Sequence, residues 1–76
     1  MILKTDTPQD FYEGCALLIG KGYTPITNAL PINHKGENYL LIDHPCALFA
    51  LTTQARADKD GYTNYQDSQF IKNLKK

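Results

Sequence analysis

In "DHPC", residues Asp43 to Cys46, a histidine stands two positions before a cysteine. Such a pair could ligate a metal or work as base and nucleophile. A structural zinc site needs four ligands at bonds of about 2.0 to 2.3 Å, so His34 and Cys15 would have to come from other parts of the chain. A Cys–His nucleophile needs both side chains on one side, and a tight turn with Pro45 between them does not secure that. "DKDG", residues 58–61, alternates carboxylates as a calcium loop does at its start. Counted from Asp58, however, the sixth and twelfth positions hold Thr63 and Gln69, where such a loop needs glycine and glutamate. GxxxxGK, GxGxxG and GxSxG are all missing, so phosphate-cradling and serine-nucleophile chemistry have no template. The expectation is a protein that is not an enzyme, with no catalytic residue, no metal and no cofactor.

The unusual side chains are tyrosines: five occur, with no tryptophan. Tyr12 and one face of Tyr39 are expected in the core. Tyr62 and Tyr65 lie in "GYTNYQDSQ" among Thr, Asn, Gln, Asp and Ser, a mixture of stiff amphipathic rings and adaptable hydrogen-bonding groups suited to recognition. This marks Tyr62, Asn64, Tyr65 and Gln66 as candidate binding residues. "YTPITNALPINHKG", residues 23–36, adds two more. Pro25 and Pro31 fix their own φ and hold Thr24 and Leu30 extended, which makes a stiff loop carrying Ile26 and Ile32. One isoleucine is expected to close the core, and the other, if exposed, is a low-entropy binding element.

Several elements must position these residues. Thr7 can cap a helix with Pro8 in its first position and Asp10 in the positive field of its start; the helix runs to about Lys21 and stops at Gly22. At 100° per residue, Phe11, Tyr12, Cys15, Leu18 and Ile19 share a face, and Leu17 falls among polar residues. Gly14 and Gly20 each weaken the helix by about 1 kcal/mol relative to alanine, which implies close packing against the backbone or a weak helix. "ENYLLIDHP" and "CALFALTTQARA" read as two strands joined at Asp43, His44 and Pro45, with Leu41 and Phe49 expected in one core with Phe11 and Leu18. Cys46 would open the second strand, and both cysteines are expected to be reduced and buried. "DKDG" reads as a hairpin turn returning Tyr62 to Tyr65 along the second strand. "DSQFIKNLKK" is a short helix capped by Asp67 or Ser68, with Phe70, Ile71 and Leu74 at helical spacing. With "MILK" as an opening strand, the order is β-α-β-β-β-α. The expected fold is a two-layer α+β domain, an antiparallel sheet of three to four strands with the main helix on one face.

The 76 residues, taken as a single domain 1–76, bury only about 60% of the surface exposed when unfolded, leaving no room for an interdomain cleft. Eight Lys and Arg balance eight Asp and Glu, which disfavours duplex nucleic acid as a partner. Neither a signal peptide's apolar run nor a membrane-length segment is present, so a cytoplasmic location without membrane contact is expected. In size, charge and lack of catalytic motifs the chain looks like the small accessory proteins with which phages and mobile elements bind and inhibit host machinery. The function expected is protein binding, with a homodimer through a sheet edge as one way to use it. The alternative is binding of single-stranded nucleic acid by the tyrosines, with Arg56, Lys59, Lys72, Lys75 and Lys76 as nearby cations.

Overall fold

A computed structural model describes residues 1–26 and 36–76. Its elements are β1 (Ile2–Thr5), α1 (Pro8–Gly20), β2 (Thr24–Pro25), β3 (Asn38–Asp43), β4 (Leu48–Thr52), α2 (Gln54–Asp60), β5 (Thr63–Asn64), a 3₁₀ turn (Tyr65–Asp67) and α3 (Gln69–Leu74). The fold is α+β, but the sheet is mixed and five-stranded, in the order β2-β4-β3-β1-β5. The antiparallel pairs β1–β3 and β3–β4 form its centre. A parallel two-residue strand closes each side, β5 on β1 and β2 on β4. These edges and the extra helix are what the antiparallel sheet of three to four strands left out.

Local chemistry explains α1. The Thr7 hydroxyl accepts the amide of Asp10, Pro8 stands at the helix start, and Gly22 has φ +92° just beyond the end, where a side chain would be strained. Phe11, Cys15 and Leu18 pack with Leu3, Leu40, Ile42 and Phe49 from the sheet. Ser68 caps α3, which adds Ile71 to the same core. Leu41 is on the other face with Ile2, Tyr39 and Ala57, correcting its expected place beside Phe11. The reason is register. Leu40 and Ile42 alternate with Leu41 on β3, and α1 covers the face that holds the first two. Helices therefore cover parts of both faces, α1 and α3 on one and α2 on the other, rather than forming two layers.

The two helix glycines differ. A Cβ on Gly14 would lie 3.4 Å from both Leu40 Cδ1 and Tyr65 Cε2, at the close limit of ordinary contact, so the sheet and the 3₁₀ turn pack directly against α1 here. A Cβ on Gly20 would meet nothing within 4 Å. Gly20→Ala is therefore expected to raise stability by about 0.5 to 1 kcal/mol, read by urea denaturation. A loss of stability would mean that the exposed end of α1 is not helical.

Both outer strands are short. At β2 the amides of Thr24 and Ile26 point inward, to the carbonyls of Ala47 and Phe49. The residue between them is Pro25, which has no N–H to offer outward. A homodimer through a sheet edge would have to use one of these two strands.

Candidate functional site

The segment before β5 sets the site. "TTQARADKDG" forms α2 rather than a strand end and a hairpin turn. Thr53 caps it by accepting the amide of Arg56, and the Arg56 guanidinium bonds Asp60 one turn on at 3.3 Å. Gly61, at φ +87°, ends α2 in a conformation that disfavours other residues and turns the chain back over the sheet. Tyr62 thereby lands edge-on against Tyr39, ring centroids 5.4 Å apart and planes at 78°. The strand that follows runs parallel to β1 and not back along β4, which corrects the hairpin expectation.

Tyr39 is buried, while Tyr62 remains 45% exposed. Tyr39 pairs with Thr52 across the β3–β4 ladder and with Lys4 across β1–β3. Beside it opens a groove of about 520 Å³, lined by Gly36, Glu37, Asn38, Tyr39, Thr52, Thr53 and Gln54. Its described lining combines the Tyr39 ring with side-chain amides, hydroxyls and the Glu37 carboxylate. Lys4 reaches Glu37 at 3.2 Å and Asp6 at 3.7 Å. The Glu37 contact raises the Lys4 pKa. Burial, then the negative Glu37, raises that of the Tyr39 phenol. Lys4 is thus shared between two carboxylates, and the set keeps a net negative charge, with Glu37 lining the groove.

The other sequence candidates do not gather here. Tyr65 is buried in the main core, which corrects its expected place on the surface; it packs against Gly14, and its hydroxyl donates to Glu13 Oε1 at 2.5 Å. Lys75 binds the same carboxylate at 3.0 Å and lies over the Tyr65 ring at 5.3 Å. Tyr65 first and Lys75 second lower the Glu13 pKa. Asn64 donates to Asp6 at 2.9 Å and Gln66 to Asp10 at 3.2 Å, so both tie the 3₁₀ turn to the residues around the start of α1. Ile26 is 59% exposed but follows β2, at the opposite edge of the sheet from β5, so it cannot share one surface with Tyr62. Ile32 and His34 lie outside the described residues. Tyr12 is exposed rather than in the core, because Phe11 takes the inward position on α1.

The "DHPC" turn does other work. The Tyr23 hydroxyl is hydrogen-bonded to Nδ1 of His44, and Phe70 meets both rings edge-on at 6.0 and 5.7 Å. His44 thus anchors the β3–β4 turn to α3 and to the end of α1. Cys46 sits in this turn and is exposed, contrary to its expected burial at a strand start. Its thiol pKa is raised by a hydrogen bond to the Asp43 carboxylate, the opposite of what activates a nucleophile. Burial pushes the Cys15 thiol up to about 11. Iodoacetamide is accordingly expected to label Cys46 alone in the native protein and both thiols in denaturant. Equal native labelling of Cys15 would contradict its packing beneath α1. Among the described residues, no three His, Cys, Asp or Glu side chains converge as a metal site, and no helix is long and apolar enough to cross a membrane.

Sequence reasoning singled out Tyr62 but missed its partners. Tyr39, Thr52 and Gln54 come together only through strand register and the start of α2, which no local motif announces. No known protein family, curated protein or solved structure matches this chain.

Proposed function

We propose that the chain is a non-enzymatic protein-binding module that receives a partner at Tyr62 and the groove lined by Tyr39. One observation carries this reading: a half-exposed tyrosine, Tyr62, is held edge-on against buried Tyr39, and Tyr39 in turn lines a groove with polar neighbours. An aromatic ring fixed before binding loses little entropy on contact, and rings in such settings are frequent energetic anchors. The groove is of a size to take one or two side chains of a partner loop, with the amides and hydroxyls of Asn38, Thr52, Thr53 and Gln54 around them. Inhibition of host machinery by a phage or mobile-element accessory protein in the cytoplasm is the biological form that fits a neutral module of this size.

Charge separates this from single-stranded nucleic-acid binding. Among the described residues, the charged one lining the groove is Glu37, an anion, whereas a strand-binding groove follows the phosphates with cations. Arg56 is paired with Asp60, and Lys75 with Glu13. Tyr62→Ala is expected to weaken partner binding by about 1 to 4 kcal/mol, while Lys76→Ala leaves it unchanged and moderate salt changes it little. The check is affinity capture from host lysate with and without nuclease, comparing parent and Tyr62→Ala chains. Capture that survives nuclease and is lost with Tyr62 supports the proposal. Capture abolished by nuclease, or indifferent to Tyr62, overturns it.

A further inference from the structure

The junction between α2 and Tyr62 carries a reactive pair. Asp60 is the only aspartate followed by glycine, and no asparagine is. In such a pair the next backbone nitrogen can attack the side-chain carboxyl, because glycine has no Cβ to obstruct the approach. Asp60 is the last residue of α2, and Gly61, at φ +87°, caps it; both are exposed. Two contacts restrain the reaction in the closed helix. The Gly61 amide donates to the Ala57 carbonyl at 2.8 Å, and Asp60 Oδ2 accepts from Arg56 Nε at 3.3 Å. Both span the last turn of α2, so they are lost together when that turn opens. The helix has seven residues, of which Ala57 is buried. Helices this short are marginal, and their ends fray first.

We propose that Asp60 is a self-modification site, converting to isoaspartate through openings of the last turn of α2 and thereby parting Tyr62 from Tyr39. The Gly61 nitrogen bonds to Asp60 Cγ, the amide hydrogen and the carboxyl OH leave together as water, and a succinimide ring closes. Water then adds at either ring carbonyl. Addition at Cγ breaks the new bond and restores aspartate. Addition at the main-chain carbonyl carbon of Asp60 breaks the original peptide bond instead and leaves isoaspartate, with the chain running through Cβ and Cγ. Nothing but water enters or leaves. The product has a main chain one carbon longer and a carboxylate where the peptide carbonyl stood.

The position of the pair gives the reaction its effect. On one side Ala57 is buried, and on the other Thr63 is paired with Leu3 in β5. The extra carbon must be taken up between these two anchors, where Tyr62 meets Tyr39 with ring centroids 5.4 Å apart. The converted chain loses the arrangement of rings described above, and the chemistry requires no partner.

The test keeps the full chain at neutral pH and physiological temperature and maps samples over time by electron-transfer mass spectrometry, which distinguishes isoaspartate from aspartate. Isoaspartate is expected at position 60 several-fold faster than at Asp6, Asp10, Asp43, Asp58 or Asp67. Arg56→Ala loosens the last turn and should speed conversion roughly twofold. Unfolding in urea should speed it further, and Asp60→Glu, whose longer side chain closes such a ring far more slowly, should stay unmodified. In the converted fraction the nuclear Overhauser contacts between the Tyr39 and Tyr62 rings should vanish, while those of Phe11 with the main core persist. The proposal is overturned if the folded chain shows no isoaspartate at position 60 in the time that half of the urea-unfolded chain converts. It is equally overturned if Arg56→Ala converts no faster than the parent, or if the isoaspartate form keeps its Tyr39–Tyr62 contacts.

Discussion

Phe49→Ala is expected to destabilise the protein by about 3 to 5 kcal/mol, enough to unfold much of so small a chain. Phe49 is buried at the centre of the main core, opposite Ile42 on β3 and in one cluster with Phe11 and Leu18. Its removal leaves a cavity bounded by the sheet and α1, and a core of this size has few other side chains able to fill it. Urea denaturation followed by far-UV circular dichroism reads the loss directly. Leu41→Ala, on the other face and only partly buried, should cost markedly less. If the two variants were equally stable, the assignment of β3 residues to faces would be wrong.

Tyr65→Ala should cost a similar amount, about 3 to 5 kcal/mol, although the residue lies in a polar stretch of sequence. Its ring fills the space that Gly14 leaves open on α1, and its hydroxyl joins the 3₁₀ turn to Glu13. Tyr65→Phe keeps the ring and removes only the hydrogen bond, so its loss should be well below that of the alanine variant. The two effects separate with pH. Because the Glu13 pKa is lowered in the folded chain, the stability it contributes is present above the ordinary carboxylate range and is lost as pH falls through that lowered value. The difference between parent and Tyr65→Phe should therefore narrow on acidification. A gap that stays constant down to acid pH would show that the Tyr65–Glu13 bond does not form in solution.

These two residues also mark what could be read from the sequence. Phe49 was legible because strict alternation in β3 and β4 and the Asp-His-Pro turn between them are local signals, as are the cap, proline and terminal glycine of α1. Alternation shows which residues share a face but not which face the helix takes. Leu41 and Leu40 are equally apolar, so the choice between them fell to tertiary packing. Tyr65 was not legible, since it is buried against a part of α1 some fifty positions earlier, and its neighbours spoke for the surface. The strands β2 and β5 have two residues each, too few for any period to appear. The helix α2 did carry a signal, Thr53 followed by Gln-Ala-Arg-Ala with Arg56 and Asp60 four apart, but the β-branched run just before it favoured a longer strand. Of the candidate surface, Tyr62 is readable from composition; Tyr39 beneath it reads as a core residue, and their union requires Gly61 to redirect the chain.

The position of β1 bears on when the molecule can acquire its shape. This strand, the first element of the sheet in chain order, pairs with β3 some forty residues later and with β5 some sixty residues later. Tyr65 and Ile71, both in the main core, come later still. Nothing built from the first half of the chain alone can satisfy β1 on both sides, and loop closure over such separations is slow relative to local helix formation. During translation the polypeptide would therefore leave the ribosome with α1 as its main locally encoded structure and its apolar strands unpaired. Cooperative folding would wait for residues 65–76, so a chain cut short before them should be a substrate for proteases rather than a smaller folded protein.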